Sequence, residues 1–136
     1  MPASLRFVLG MLVLAALATP VAIFGVYRED QHQAKVVAEQ LTGGSVDAGK
    51  DAITRLQCGS CHQIGGIGGA TGMVGPALDG VGARAFIAGK LSNSPDNMVR
   101  WLRRPQAVVP GNGMPDQGVT DREARDMAAY LYTLKK

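Results

Sequence analysis

The sequence predicts an all-α domain behind one membrane-spanning helix. Three observations carry that prediction. An unbroken apolar run fills residues 5–27, the rest of the chain shows helical rather than alternating spacing of apolar residues, and 136 residues leave room for one domain and an appendage.

From Leu5 to Tyr27 the only polar side chains are Arg6 and Thr19. A helix of that length rises about 30 Å, enough to cross a hydrocarbon core. Arg6 and the small-x-small triplet Ala16-Leu17-Ala18 also fit a cleaved signal peptide, but the run continues through Phe24 to Tyr27, longer than a usual signal core. A retained anchor over residues 1–27 is the expectation, with Pro20 kinking the helix without ending it. Arg6 precedes the run, and Glu29 and Asp30 offset Arg28 beyond it. This charge bias puts the N-terminus in the cytoplasm and everything after Tyr27 outside.

Residues 28–45 are expected to be a stalk and tether. Arg28 to Leu41 contains no Pro or Gly and suits a helix, which Thr42-Gly43-Gly44-Ser45 then breaks with a flexible, pivoting link. His32 lies among polar stalk residues, where solvation accounts for it.

Residues 46–136 form the expected domain. Its helices are predicted over Asp47 to about Cys58, Asp96 to Arg104 and Asp121 to Leu134, with a long Gly-rich loop from Gly65 to Gly75. The last helix carries the strongest signal. Thr120 and Glu123 form a capping box, and Ala124, Met127, Ala128, Leu131 and Leu134 recur along one helical face. No strands are expected.

A net charge of +3, from 14 Lys and Arg against 11 Asp and Glu, is too small and dispersed to mark a nucleic-acid binder. Aromatics make up only 5% of the chain, so few large rings are available to fill a core. Something other than protein can fill it.

The decisive stretch is Cys58-Gly59-Ser60-Cys61-His62, the spacing of c-type haem attachment. Two thiols three apart can add to the two vinyl groups of one haem and leave the His62 imidazole beneath the iron. A redox dithiol would want a βαβ context, which the pattern lacks. A zinc site would need a fourth ligand, and the other histidine is His32 in the stalk. A structural disulfide would leave His62 without a role. Behind an export segment, covalent haem is the reading that uses all three residues.

From here the chain resembles the class I c-type cytochromes over about Asp47 to Leu134. Gly75-Pro76-Ala77-Leu78 matches the family's Gly-Pro-x-Leu segment, which implies that the Pro76 carbonyl accepts the N–H of His62 and that Leu78 lines the haem. Arg84 fits the family's buried arginine near a haem propionate. Trp101-Leu102, then Pro110-Gly111-Asn112-Gly113-Met114-Pro115, match the segment that delivers the second axial ligand. The resemblance thus implies one covalent haem c ligated by His62 and Met114, with Asn112, Trp101 and Leu102 beside it. Gly49 and Ile53, with Met127, Tyr130 and Leu131, fall where the family's terminal helices cross.

Plainer readings stand beside these. A methionine is most often a core filler. Met73 and Met114 are the two in loops, and Met73 follows His62 by only eleven residues, on the histidine side. The six glycines from Gly65 to Gly75 lack the Lys-Ser/Thr ending of a phosphate loop and are expected to pack against haem or a partner. Arg100, Arg103, Arg104, Arg122 and Arg125 form either a docking surface or solvated helix faces.

His/Met ligation fills both axial positions and favours ferrous iron, so the resemblance implies an electron carrier with no small-molecule substrate, not an enzyme. Ile87-Ala88-Gly89-Lys90-Leu91-Ser92-Asn93-Ser94-Pro95 and Asn97-Met98-Val99-Arg100-Trp101-Leu102 are most similar to the cytochrome domain fused to subunit II of bacterial haem–copper oxidases. The cysteine and histidines of a copper site are not in the sequence, so the cytochrome part alone is expected on its own anchor. The implied partners are the membrane and redox proteins such as a terminal oxidase or a quinol-oxidising complex. Alternatives are an acceptor subunit of a periplasmic dehydrogenase, a donor to a photosynthetic reaction centre, or a haem sensor or peroxidase that loses Met114 from the iron.

Overall fold

A computed structural model describes residues 2–135; Met1 and Lys136, the outer limits of the expected anchor and domain, lie outside the described residues. One helix, α1, runs from Ala3 to Thr42, and the chain divides into two compact units on either side of the Ala34–Lys35 link.

The first unit is the apolar part of α1. Its side chains, Phe7, Leu17 and Phe24 among them, are exposed, and the segment is long and apolar enough to cross a membrane. Pro20 lies inside the helix without ending it. Proline brings no N–H to the ladder, and one residue earlier the Thr19 hydroxyl donates to the Ala15 carbonyl at 2.7 Å.

The second unit starts at Lys35, within the expected stalk. Ala38 and Thr42 are each only 1% exposed. Glycine at 43 ends α1 because its φ of 67° is left-handed, and its N–H returns to the Glu39 carbonyl. Gly44 backs directly onto the Arg125 carbonyl, Ser45 N–H donates to Asp126 Oδ1 at 2.7 Å, and Val46 N–H donates to Glu39 Oε1 at 2.9 Å. The expected tether is therefore a packed turn. Glycine serves here for close approach, a use that composition does not distinguish from slack.

Helix α2, Val46–Arg55, is capped by Ser45, whose side chain accepts the Ala48 N–H. It stops short of Cys58 because Gln57 is left-handed, at φ 54°. Helix α5, Asp121–Thr133, carries the expected capping box, with both reciprocal bonds made between Thr120 and Glu123. Those bonds to Thr120 and the Arg55 guanidinium hold the Glu123 carboxyl below its usual range. The two helices cross at Gly49, where a Cβ would run into the Asp126 carbonyl. Ile53, Ala124, Met127, Ala128 and Leu131 bury around that crossing, while Leu134 is half-buried.

Helix α3, Pro95–Arg103, starts on a Ser94 cap with Pro95 in its first turn and buries Met98, Val99 and Leu102 against the core. A four-residue helix, α4, Pro105–Val108, follows. The expectation of no strands is corrected by a minimal antiparallel hairpin of β1, Phe86–Ile87, and β2, Leu91–Ser92. Its turn places Ala88 and Gly89 at positive φ, closed by Lys90 N–H to the Ile87 carbonyl. Two-residue strands are too short to show a period of two. The architecture is otherwise helical as expected.

Candidate functional site

Between α2, α3, α5 and the loops opens a cavity of about 590 Å³, a size that houses large organic ligands. All ten residues singled out from the sequence border it: Cys58, Cys61, His62, Pro76, Leu78, Arg84, Trp101, Leu102, Asn112 and Met114. They come from five separate stretches of chain, which only the fold brings together.

The cysteines stand on a tight 3₁₀ turn over Cys58–Ser60, closed by the N–H groups of Cys61 and His62 on the Cys58 carbonyl at 3.2 and 3.0 Å. Both are free thiols. Burial pushes the Cys58 thiol above its ordinary range, so it is protonated at neutral pH. The Gly-rich loop packs on this turn. Gly72 N–H donates to the Gly59 carbonyl at 3.0 Å, Gly75 N–H to the Cys61 carbonyl at 2.8 Å, and Gly72 has no room for a Cβ beside Ser60 and Cys61. Gly72 and Gly75 thus bond the backbone of the cysteine turn.

His62 Nδ1 lies 2.7 Å from the Pro76 carbonyl. A carbonyl can only accept, so Nδ1 carries the proton and Nε2 keeps its lone pair for a metal. Gly75 leaves the ring no slack, since a Cβ there would lie 2.7 Å from Nδ1.

Arg84 borders the cavity, on the wall after Pro76. Its guanidinium donates to the carbonyls of Ala77 at 2.5 Å and Asp79 at 3.1 Å, bracing the loop after Pro76. Met114 is half-buried on the wall, whereas Met73 is 85% exposed and outside the cavity. Met98 and Met127 also reach the cavity, but each is 2% exposed, packed on α3 and α5.

One residue that supports this wall from behind escaped sequence reading. Gln106 Nε2 donates to the carbonyls of Asn112 at 2.9 Å and Met114 at 2.7 Å, joining the loop to α4. No motif marks it: a lone glutamine eight residues before Met114 has no local signature.

Of the five arginines, Arg100, Arg103, Arg104 and Arg125 line a separate depression, while Arg122 pairs with Asp126 at 3.3 Å. Asp121 accepts from Arg103 at 3.1 Å and from Arg125 at 2.9 Å, so much of that charge is paired.

The cavity fits a large, flat, largely apolar group with two thiols at its rim and an imidazole and a thioether on its walls. A family model described as cytochrome c matches residues 46–135. The chain belongs to the cytochrome c family. It is accordingly a haem-binding electron-transfer protein. The cytochrome is 38% identical over 100 residues to a protein named cytochrome c oxidase subunit 2 of Alkalihalophilus pseudofirmus, covering 71% of this chain and 28% of the relative. It is 33% identical over 89 residues to the like-named protein of Bacillus sp. strain PS3, covering 62% of this chain and 25% of the relative. The cytochrome thus spans about a quarter of the length of these relatives. No solved structure matches it.

Proposed function

We propose that this cytochrome is a membrane-anchored, single-haem electron carrier of a respiratory chain, serving a terminal haem–copper oxidase as donor or subunit. Convergence of Cys58, Cys61, His62 and Met114 on one cavity carries the reading. The likeness to proteins named oxidase subunit 2 supports the choice of partner.

In this reading Cys58 and Cys61 would hold the haem covalently, each S–H adding across a vinyl group to give an S–C bond and a C–H bond. Haem c, when bound, supplies an iron that cycles between ferric and ferrous. His62, fixed as the Nδ1–H tautomer by Pro76, would hold the iron through Nε2, and Met114 would hold it through its thioether. Held by both side chains, the iron would offer a substrate no open coordination site, and the thioether would favour its ferrous state. Pro76, Leu78, Trp101, Leu102 and Asn112 shape the pocket, and Arg84 holds the loop that carries Pro76. The apolar part of α1 is retained in the bacterial inner membrane, with the haem domain on the periplasmic side.

The test is purification from membranes in mild detergent, followed by a visible spectrum and identification of associated subunits. The expected result is a ferric spectrum with the weak far-red band of thioether ligation and co-purification of oxidase subunits. A high-spin ferric spectrum that binds peroxide at once would refute the carrier reading.

A further inference from the structure

We infer that Gln106 is a positioning residue that keeps the Met114 loop closed over the haem pocket; this rests on the reading of Met114 as an axial ligand. The loop from Val109 to Asp116 contains Pro110 and Pro115, and among the described residues no bond between main-chain groups involves residues 113–117. Side chains hold it instead. Two carboxamides bracket the methionine. The Asn112 Oδ1 accepts the Met114 N–H at 2.7 Å, and the Gln106 Nε2 donates to the Met114 carbonyl at 2.7 Å. Both polar main-chain atoms of Met114 are therefore fixed from outside the local backbone.

Gln106 has every hydrogen-bonding group of its amide engaged with this loop. Its second N–H goes to the Asn112 carbonyl at 2.9 Å, and its Oε1 accepts the Gly111 N–H at 3.1 Å. The main-chain N–H of Gln106 in turn donates to Asp116 Oδ1 at 3.2 Å, tying the far end of the loop to the same residue. The base of this clamp is firm, because neighbouring Pro105 is among the most fully buried residues of the protein. Asn112 adds bonds to the carbonyls of Pro105 and Val109 at 3.0 and 2.7 Å. A thioether is a weak ligand to ferric iron, so the time Met114 spends bound depends on how seldom the loop opens. Gln106 sets that frequency through three bonds to residues 111, 112 and 114.

The experiment uses the full-length holoprotein and follows cyanide association with ferric haem under conditions where loop opening limits the rate. Gln106→Leu removes all three bonds at similar volume; Gln106→Glu is isosteric and turns two donors into acceptors facing two carbonyls. Loss of two to three hydrogen bonds predicts cyanide association faster by about thirtyfold or more. The thioether band should weaken in both variants while helix content is unchanged. If Gln106→Leu fails to retain haem, Gln106→Glu carries the test. In a Met114→Ala background, where the iron is already open, Gln106→Leu should add nothing. Wild-type cyanide rates in the Gln106 variants would overturn the proposal, as would an equal acceleration in the Met114→Ala background, which would mark a general structural role. A Met114→Ala protein with unchanged spectrum and cyanide rate would instead overturn the reading of Met114 itself.

Discussion

Replacing Gly49 by alanine separates local propensity from tertiary packing, because the two predict opposite signs. Within an isolated helix the change removes a flexible residue and stabilises by about 1 kcal/mol. In the folded protein the new Cβ overlaps the Asp126 carbonyl and lies 3.0 Å from the Met127 N, both backbone groups of α5 that no rotamer change can move. Restoring ordinary contact requires α2 and α5 to part by roughly 1.5 Å, a gap that forfeits a quarter to a half or more of the dispersion energy across the crossing. Ile53, 2% exposed, sits on that crossing, and Ser45 N–H reaches Asp126 from α2's cap, so the movement disturbs both. Overpacking of this kind costs about 1–3 kcal/mol, and with backbone on both sides the upper end applies. Offset by the propensity gain, the net loss is about 2 kcal/mol. For a domain of this size that lowers Tm by roughly 8–16 °C. Thermal melts of the holoprotein in detergent, followed by circular dichroism, measure it, with Gly25→Ala as a control because nothing lies within 4 Å of its Cβ position. An unchanged or raised Tm in Gly49→Ala would refute the packing argument.

Three further predictions concern the pocket and its supports. Substituting serine for both Cys58 and Cys61 should abolish haem retention through denaturing electrophoresis; a haem-stained band in the double variant would rule out covalent attachment. Met114→His should keep six-coordinate iron but lower the reduction potential, because imidazole favours ferric iron more than a thioether does, while Met73→Ala should leave the potential unchanged in a redox titration. Burial pushes the Tyr132 hydroxyl up from 10.0 to about 12, and it donates to Asn93 Oδ1 at 2.8 Å. The folded state thus holds this proton more tightly than the unfolded chain, so its contribution to stability is full below pH 10 and is lost as pH rises towards 12. Denaturant midpoints measured across that window should fall more steeply for the native protein than for Tyr132→Phe.

The sequence alone determined what depends on neighbours along the chain. The apolar run sets a long helix because some twenty residues without a charge satisfy every backbone group internally and have no use for water. The capping box of α5 and the Ser94 cap of α3 act within three residues, and the Cys58–His62 spacing is a local fact of one turn. His62 and Pro76, and Met114 with its flanking prolines, were legible because family-like segments mark them. Tertiary structure decided the rest. Composition marks Gly43 and Gly44 as slack, yet the Arg125 carbonyl and the Asp126 carboxylate, some eighty residues away, make that turn packed. The hairpin at Phe86–Ser92 exists in strands too short for any periodicity, and Arg84 reaches the Ala77 and Asp79 carbonyls only because the chain folds back between them. Gln106 is the clearest case. An amide side chain has the same chemistry anywhere, and what it holds is set by which carbonyls and N–H groups the fold brings within 3 Å, information that resides in no single stretch of sequence.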